Sequence, residues 1–327
     1  MTTAARPLGF RPWALAAAIV VLLALLAAPA IVVLLTSGDD TAPATPPRTI
    51  KAGRQPTDVA VANGTVWVAS GRDNGIVAID AGAARPSVTQ HETGAAPLHL
   101  AIGEDSVWTA DVGDDTVTRV NPLIPGSAGR QIRIGADAVD VAVGYDGTWV
   151  TNGQRGTVMR IDPVYNRVIG SPIRTGNFPT ALAIGANFIW VVNSGDGTVA
   201  RIDPREGLVI GRRTPVGRDP QDIAVGFGSV WVANRGDGTV SRLSAATGRR
   251  EGDPIKVGGA PGALAVTSDS VLVLDTKSGD VLQLDPRSLR TRRVLHVTGF
   301  PTALAVGAGA AWVVDARSGT VTRLSGQ

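Results

Sequence analysis

The chain has 327 residues, of which 44% are apolar and 18% charged, with 40 Gly and no Cys. This composition suits a turn-rich all-β domain, and it excludes a disordered chain, disulfides, thiolate metal sites and a catalytic or lipid-modified Cys. Leaving aside Arg6 and Arg11, which precede an apolar N-terminal run, 29 basic residues face 28 acidic ones. Because no Lys or Arg cluster with interleaved aromatic residues occurs, the sequence predicts no nucleic-acid partner.

The apolar run near the N-terminus predicts a membrane anchor. Trp13–Leu35 comprises 23 residues without a charge. As a helix rising about 1.5 Å per residue, it exceeds the roughly 30 Å hydrocarbon core of a bilayer. Arg6 and Arg11 precede it, so the positive-inside rule predicts a cytoplasmic tail (1–12), a single-pass transmembrane anchor (13–35) and an extracytoplasmic remainder. Residues 36–47, rich in Thr and Pro, are expected to form a polar linker.

A cleaved signal sequence is the alternative interpretation of this run. Ala28-Pro29-Ala30 resembles a small-residue cleavage pattern, and cleavage there would give a secreted protein. Five more apolar residues follow the pattern, and the run is long for a signal sequence, which favours the anchor. Both interpretations place the rest of the chain outside the cytoplasm.

From residue 48 onward the sequence repeats itself. Six copies carry a Trp that opens a stretch such as WVANRGDGTVSRL, and a seventh copy has Leu there. These anchors recur at steps of 41 residues five times and then 40: Trp67, Trp108, Trp149, Trp190, Trp231, Leu272 and Trp312. Eleven residues before each anchor lies a Pro, or Ala138 in the third copy. Two landmarks with one period predict seven structural repeats.

Each repeat predicts four short strands. An apolar alternation follows the Pro, the Trp lies in the second strand, a Gly/Asp/Asn turn leads to a third strand, and a looser fourth strand ends the unit. Four strands in about 41 residues are typical of a β-propeller blade, so residues 48–327 are expected to form a monomeric seven-bladed propeller. The last copy stops after its third strand, and Arg48–Gly53 resembles a fourth strand. We therefore expect this N-terminal strand to close the ring and leave no unpaired sheet edge.

Three repeated features favour structural roles. The anchor Trp residues are expected to pack between blades. The residue after each second strand is polar in every copy and is expected to bond the hairpin that it starts; these residues are Ser70, Asp111, Asn152, Asn193, Asn234, Asp275 and Asp315. An Arg in the third strand is expected to pair with an Asp two residues later, with a basic ring as the alternative; these are Arg119, Arg160, Arg201, Arg242 and Arg323.

Polar exceptions within the repeat point to a ligand site. Two places after the Pro landmark lie Asp58, His99, Asp140 and Asp222, whereas the other three copies have Ala. The fold therefore does not require a charge at this position. If these side chains face the channel, they create a negative potential around one imidazole, which suits a cation, an amine or a hard metal ion held by Asp58, Asp140 and Asp222. The alternative is that each Asp caps its own turn.

The loops just before the landmark vary between copies and are expected at the channel mouth. The candidate contacts there are Arg54, Phe178, Arg218, Asp219 and Phe300. The two Phe side chains are interpreted either as exposed anchors for a partner or as residues packed on the neighbouring blade.

The sequence gives little support for catalysis. It has no G-x-S-x-G elbow, no H-E-x-x-H and no phosphate-binding loop. Of its three His residues, His91 and His296 fall in fourth-strand regions, and His99 alone is expected near the channel. A paired-carboxylate mechanism among Asp58, Asp140 and Asp222 stays open.

The stretch Trp149–Gly185 resembles the repeat of the YVTN-family β-propellers. It has their aromatic-Val-Thr-Asn strand, their Thr-Val strand ending in Ile-Asp, and a strand leading to Gly-x-x-Pro. The resemblance covers Arg48–Gln327 and implies an exported bacterial binding or surface protein with an unassigned ligand. It is specific for fold and not for function.

The repeat is also similar, more distantly, to that of the streptogramin lyases. That resemblance implies a Mg²⁺-dependent site with two His and a Glu on the later blades. The later blades here have only His296, outside the channel loops, so no lyase residue can be carried over.

These features together predict a membrane-anchored extracytoplasmic propeller that binds a small molecule or a protein at its channel mouth, without chemistry or a cofactor of its own. A metal-dependent lyase or hydrolase of the streptogramin lyase-like type is the alternative. A purely structural envelope protein is a third possibility.

Overall fold

The computed structural model describes residues 48–83, 86–135 and 137–324. In this part of the chain 29 strands form seven sheets, which gives the seven-bladed β-propeller expected from the repeats. The predicted tail (1–12), transmembrane segment (13–35) and linker (36–47) lie outside the described residues. None of the described residues forms a helix with the length and hydropathy needed to span a bilayer.

The strands follow one another antiparallel within each blade. The chain enters through β1 (Arg48–Lys51), which belongs to the last blade. Blades 1 to 3 comprise β2 (Pro56–Ala62), β3 (Thr65–Ser70), β4 (Gly75–Asp80), β5 (Val88–Glu92); β6 (Pro97–Gly103), β7 (Ser106–Asp111), β8 (Thr116–Val120), β9 (Arg130–Arg133); and β10 (Ala138–Val143), β11 (Thr148–Asn152), β12 (Thr157–Asp162), β13 (Arg167–Arg174).

Blade 4 differs from the other blades because its outer strand is interrupted. Two short pieces, β17 and β18, both pair with the third strand, and 210–213 bulge out between them. The strands of blade 4 are β14 (Pro179–Gly185), β15 (Phe188–Asn193), β16 (Thr198–Asp203), β17 (Leu208–Val209) and β18 (Thr214–Pro215).

Blades 5 to 7 complete the ring. Their strands are β19 (Pro220–Gly226), β20 (Ser229–Asn234), β21 (Thr239–Ser244), β22 (Ile255–Lys256); β23 (Pro261–Val266), β24 (Val271–Asp275), β25 (Asp280–Leu284), β26 (Thr291–His296); and β27 (Pro301–Gly307), β28 (Ala310–Asp315), β29 (Thr320–Leu324). The first strands of neighbouring blades lie side by side around the channel, and β27 contacts β2.

The core is divided among the blade interfaces. Among the described residues there are seven buried apolar clusters, each shared by two neighbouring blades. The six anchor Trp residues are all buried, as expected, and the indole N–H of Trp108 donates to the carbonyl of Gly103, 3.2 Å away. Gly103 is required by packing, because a Cβ there would lie 2.5 Å from the Val143 side chain of the next blade.

The third-strand arginines do not pair with the Asp two residues later, so that prediction was wrong. Each guanidinium instead lies over the anchor Trp of its own blade, with 5.1 to 5.9 Å between the Arg Cζ and the ring centroid. Arg201 also donates to the carbonyl of Ala246 in the next blade, at 2.9 Å. These arginines therefore combine cation–π stacking with contacts between blades.

The polar residues that end the second strands are buried, and their predicted structural role is confirmed. Asp315 accepts the backbone N–H of Arg317 and Ser318 in its hairpin, and also that of Phe300 in the loop before the first strand. Asn234 donates to Thr239 and Ser241 across the hairpin. Each residue thus ties its hairpin to neighbouring backbone or side chains.

Two faces of the ring can be distinguished. The hairpin face carries the loops that precede each first strand and the hairpins between second and third strands, for example 53–55 and 71–74, which are hydrogen-bonded to each other. The opposite face carries the remaining turns. In the pairing of β1 with β29, Lys51 lies opposite Thr320 beside a hairpin, and Arg48 lies opposite Arg323. The chain therefore enters β1 from the opposite face.

Candidate functional site

Four polar side chains project from first strands of blades 1, 2, 3 and 5. Asp58, His99, Asp140 and Asp222 each lie two residues after the start of β2, β6, β10 and β19. We call this set the channel cluster. The strand start is part of the hairpin face, so the cluster lies just inside that end of the channel.

His99 is the centre of the channel cluster. Its Nδ1 lies 3.5 Å from Asp58 Oδ2 and 3.9 Å from Asp140 Oδ1, the carboxylates of the two flanking blades. The His99 side chain is 35% exposed. The imidazole is therefore placed to be charged between two carboxylates.

The three Asp side chains also connect blades. One oxygen of each accepts a backbone N–H that lies 42 residues further along the chain, in the next blade. The donors to Asp58, Asp140 and Asp222 are Leu100, Leu182 and Leu264, at 2.9, 2.6 and 2.6 Å.

The alternative of a local turn cap is right in part for two of these carboxylates. The second oxygens of Asp140 and Asp222 accept the N–H of the following residue, Val141 and Ile223. Structural and electrostatic roles therefore coincide at Asp140 and Asp222.

The pKa values of three side chains in the channel cluster differ from those of free side chains. Burial opposes the charged form of His99, but Asp140, Asp58 and Asp222 outweigh it and raise the pKa of His99 to about 9. Burial raises the pKa of Asp140 to about 6, against the attraction of His99, and it raises the pKa of Asp222 to about 7, against two backbone N–H donors. At neutral pH the cluster thus holds an imidazolium among carboxylates, two of which titrate near neutrality.

A preformed metal site is not found in this arrangement. Among the described residues, no group of three or more His, Cys, Asp or Glu side chains is placed to hold a metal ion. The Asp140 and Asp222 carboxylates already accept backbone N–H groups on both oxygens. Metal binding by Asp58, Asp140 and Asp222 stays a prediction.

The charged candidates in the loops lie on the hairpin face, in ion pairs with hairpins. Arg54 Nε lies 2.5 Å from Asp73 Oδ1, and Arg218 Nε lies 2.5 Å from Asp237 Oδ1. Asp219 is 2.7 Å from Arg235 and has a positive φ of 50°. The Arg54 and Arg218 side chains stay mostly exposed, so a partner at this face would meet them.

The aromatic candidates lie on the same face. Phe178 is 48% exposed, and its ring edge lies next to Gly153 of the preceding blade. Phe300 is 47% exposed, with the Arg317 guanidinium 3.4 Å from its ring centroid. Each ring thus packs on a neighbour with part of its surface and presents the rest to solvent.

The other two His residues are separate from the channel. His91 is in β5, the outer strand of blade 1, where its ring is 5.5 Å from that of Trp67. His296 is in β26, the outer strand of blade 6, where Nδ1 lies 2.9 Å from Asp280. The structure therefore brings together one His and three Asp, and no His pair.

Sequence reasoning missed the backbone donors in the next blade. Backbone N–H groups leave no trace in residue types, so the sequence did not reveal Leu100, Leu182 and Leu264 as partners. The available signal was the spacing of Asp58, Asp140 and Asp222, which lie two repeats apart.

Comparisons with protein families and with curated proteins assign no family to the chain. No protein-family model matches the chain, and a search of curated proteins gives no match. The resemblance to YVTN-family repeats therefore depends on the residues quoted above alone.

Solved structures match over most of the described chain. Hydrazine synthase from Kuenenia stuttgartiensis matches with a TM-score of 0.74 and 12% identity over 83% of this chain and 96% of that chain. Virginiamycin B lyase from Staphylococcus aureus matches with a TM-score of 0.75 and 13% identity, over 86% and 99%. The WD40 propeller domain of Doa1 matches with a TM-score of 0.68 and 10% identity, over 84% and 93%. At these identities the likeness concerns the fold alone.

Proposed function

We propose that this propeller is a binding module whose channel cluster accepts a small cationic or amine-bearing ligand at the hairpin face. The observation that carries the proposal is the gathering of Asp58, Asp140 and Asp222 around His99, at a position where three blades have Ala. Three carboxylates against one imidazolium leave an excess of negative charge in a confined channel, where protein walls strengthen electrostatic attraction.

His99 acts in this proposal as a resident counter-ion. An ammonium group entering the cluster would be attracted by the same carboxylates that now stabilise the imidazolium form of His99. Because like charges repel, His99 limits the affinity for a cation, and the carboxylates provide it. The roles of His99 and of the carboxylates therefore have opposite signs, which makes the proposal testable.

Catalysis is supported less well. An imidazole with a pKa of about 9 is mostly protonated at neutral pH, which disfavours His99 as a general base there, and a metal ion would have to displace its proton. Asp140 and Asp222 titrate near neutrality, as acid–base groups often do, and this keeps a lyase or hydrolase as the alternative. Virginiamycin B lyase has a similar fold. This likeness does not provide the second His that a streptogramin lyase-like site would need.

The first prediction concerns melting temperature with amines as probes. Putrescine or spermidine at 10 mM should raise the melting temperature by several degrees, because a ligand at about 100 times its Kd adds roughly 2.7 kcal/mol of stability. The rise should be larger in His99→Ala and smaller in Asp58→Ala and Asp222→Ala, each compared with its own ligand-free baseline. Asp253→Ala, which removes a fully exposed carboxylate elsewhere, is the matched control.

Two outcomes would decide against amine binding. Equal rises in all variants would mean that the probes act outside the channel cluster. A rise caused by Ca²⁺, Mg²⁺ or Zn²⁺ after chelator treatment, and lost when Asp58, Asp140 and Asp222 are all changed to Ala, would favour the metal site and the enzyme alternative.

We further propose that the propeller is held outside the cytoplasm by the segment 13–35, with its hairpin face directed away from the membrane. The charge pattern of residues 1–40 supports the orientation. The entry of the chain into β1 from the opposite face supports the outward direction of the hairpin face. The pairing of β1 with β29 also supports a role for this strand in holding the ring closed.

The second prediction tests this topology by cysteine labelling. The chain has no Cys, so a single introduced Cys is the sole thiol. A membrane-impermeant maleimide added to intact cells should label Thr41→Cys, in the linker, and leave Thr3→Cys unlabelled until the cells are lysed. Labelling of Thr3→Cys in intact cells would contradict the orientation, and appearance of Thr41→Cys in the medium in a shortened chain would indicate a cleaved signal sequence.

A further inference from the structure

A cleft of about 880 Å³ opens beside blades 3 and 4, away from the channel cluster. Its lining includes four arginines, Arg155, Arg174, Arg212 and Arg213, with Asp196 as the one acidic side chain among its lining residues. We call this the arginine cleft. The volume is typical of ligand sites and far exceeds that of a single bound ion.

The charge in the arginine cleft is largely uncompensated. Arg213 Nη1 lies 3.0 Å from Asp196, which pairs it. Arg155 donates to the backbone carbonyl of Gly135, a bond that leaves its charge in place. Within the described residues, neither Arg155 nor Arg174 nor Arg212 has a carboxylate within salt-bridge distance. Three guanidinium charges therefore remain available to an anion.

Blade 3 obtains one of its two cleft arginines, Arg155, by a reversal of charge at a repeated position. In four other blades the equivalent hairpin residue is an Asp that accepts a backbone N–H from the loop before the first strand: Asp73, Asp114, Asp196 and Asp237. Arg155 occupies this place in blade 3. Asp at this position is therefore compatible with the fold. The change to Arg in blade 3 is not required by packing, and it adds positive charge to the arginine cleft.

Blade 4 contributes Arg212 and Arg213 through its interrupted outer strand. The bulge between β17 and β18 carries Arg212 and Arg213, and Arg174 ends the adjacent strand β13. Thr175 lies in the lining and is 1% exposed, and its hydroxyl has no hydrogen-bond partner among the described residues. A buried hydroxyl without a partner in a cationic cleft is a donor that an anion can satisfy.

We propose that the arginine cleft binds an anion with two or more phosphate or carboxylate groups. The planar guanidinium fork fits the oxygens of either group in pairs, and several unpaired arginines in one cleft favour a multivalent ligand over a single ion. The site is separate from the channel cluster and does not depend on the amine proposal.

The test is titration calorimetry of the full-length protein at 20 mM salt, with pyrophosphate and citrate as probes. We expect binding with a Kd on the order of 0.1 mM or tighter, and a loss of roughly tenfold in affinity for each arginine removed in Arg174→Ser/Arg212→Ser, since each charge-assisted hydrogen bond contributes about a factor of ten. A preference for pyrophosphate would identify a phosphate ligand, and a preference for citrate a carboxylate ligand.

Two controls keep this test decisive. Arg130→Ser/Arg133→Ser removes the same charge from equivalent positions of blade 2, outside the arginine cleft, and should leave affinity unchanged. Arg155→Asp restores the residue of four other blades, so it should fold and lose affinity at least as strongly. Absence of binding to the unmodified protein, or equal losses in the blade 2 control, would overturn the proposal.

Discussion

A chain that begins at residue 56 should melt about 6–10 °C below one that begins at residue 47. The longer chain keeps β1, whose four residues pair with β29. Ala52 behind it is fully buried, and Ile50 packs against the cluster shared by blades 7 and 1. Losing this burial and the ladder hydrogen bonds costs roughly 3–5 kcal/mol, and each kcal/mol corresponds to about 2 °C in a domain of this size.

Thermal melting followed by circular dichroism measures this difference directly. Both chains lack the N-terminal apolar run, so its removal cancels in the comparison. Ile50→Asp in the longer chain is a second probe, because it keeps the loop at 53–55 and should still lower the melting temperature. Equal melting temperatures for the two chains would show that β1 does not hold the last blade in place.

The repeat architecture could be predicted from the sequence because every blade interface makes the same demand. Trp231 and its counterparts fill equivalent positions between blades, and Gly103 and its counterparts allow the next blade to approach. Because equivalent positions between blades are occupied by similar residues, these residues recur in the sequence with a constant period. The interrupted outer strand of blade 4 was not predicted, because outer strands are exposed and their residues vary.

The channel cluster could be predicted in part. Asp58, His99 and their equivalents were identified because Ala at the same position in three repeats shows that the fold does not need them. The stacking of Arg242 on Trp231 was missed, although the two residues face each other across the hairpin in a register that the repeat fixes. The same guanidinium also pairs with Glu251, 2.9 Å away, so Arg242 uses both kinds of partner, and residue type alone does not show which carboxylate comes close.

Asp111 is a buried carboxyl whose replacement should change the stability of the protein in a pH-dependent way. This residue ends the second strand of blade 2, is fully buried, and accepts hydrogen bonds from the hydroxyls of Thr109, Thr116 and Thr118. Burial raises its pKa to about 7, although these three donors counteract the rise. The equivalent Asp315 is hydrogen-bonded by three backbone N–H groups, and its pKa lies below the usual range despite burial.

The sign of the pH effect follows from proton linkage. A carboxyl with a raised pKa binds its proton more tightly in the folded protein than in the unfolded chain, so stability decreases as the pH rises from about 4 through 7. Above pH 7 the folded protein must hold an ionised, buried carboxylate. Asp111→Asn removes this cost, and Asn234 shows that the same position in blade 5 accommodates the amide among hydroxyl acceptors.

We therefore expect Asp111→Asn to stabilise the protein by about 2–4 kcal/mol at pH 8, and the gain to shrink steadily toward pH 4, where both side chains are neutral. Asp315→Asn should have the opposite effect at pH 8, because an amide cannot replace a carboxylate that accepts three N–H groups, and its cost should stay nearly constant down to about pH 4, since the pKa of Asp315 lies below the usual range. Melting temperatures of the three proteins between pH 4 and pH 8 measure both trends. A gain for Asp111→Asn that is independent of pH would mean that the carboxyl does not titrate in the folded state, and a loss at pH 8 would mean that the ionised form is the one the hydroxyls hold.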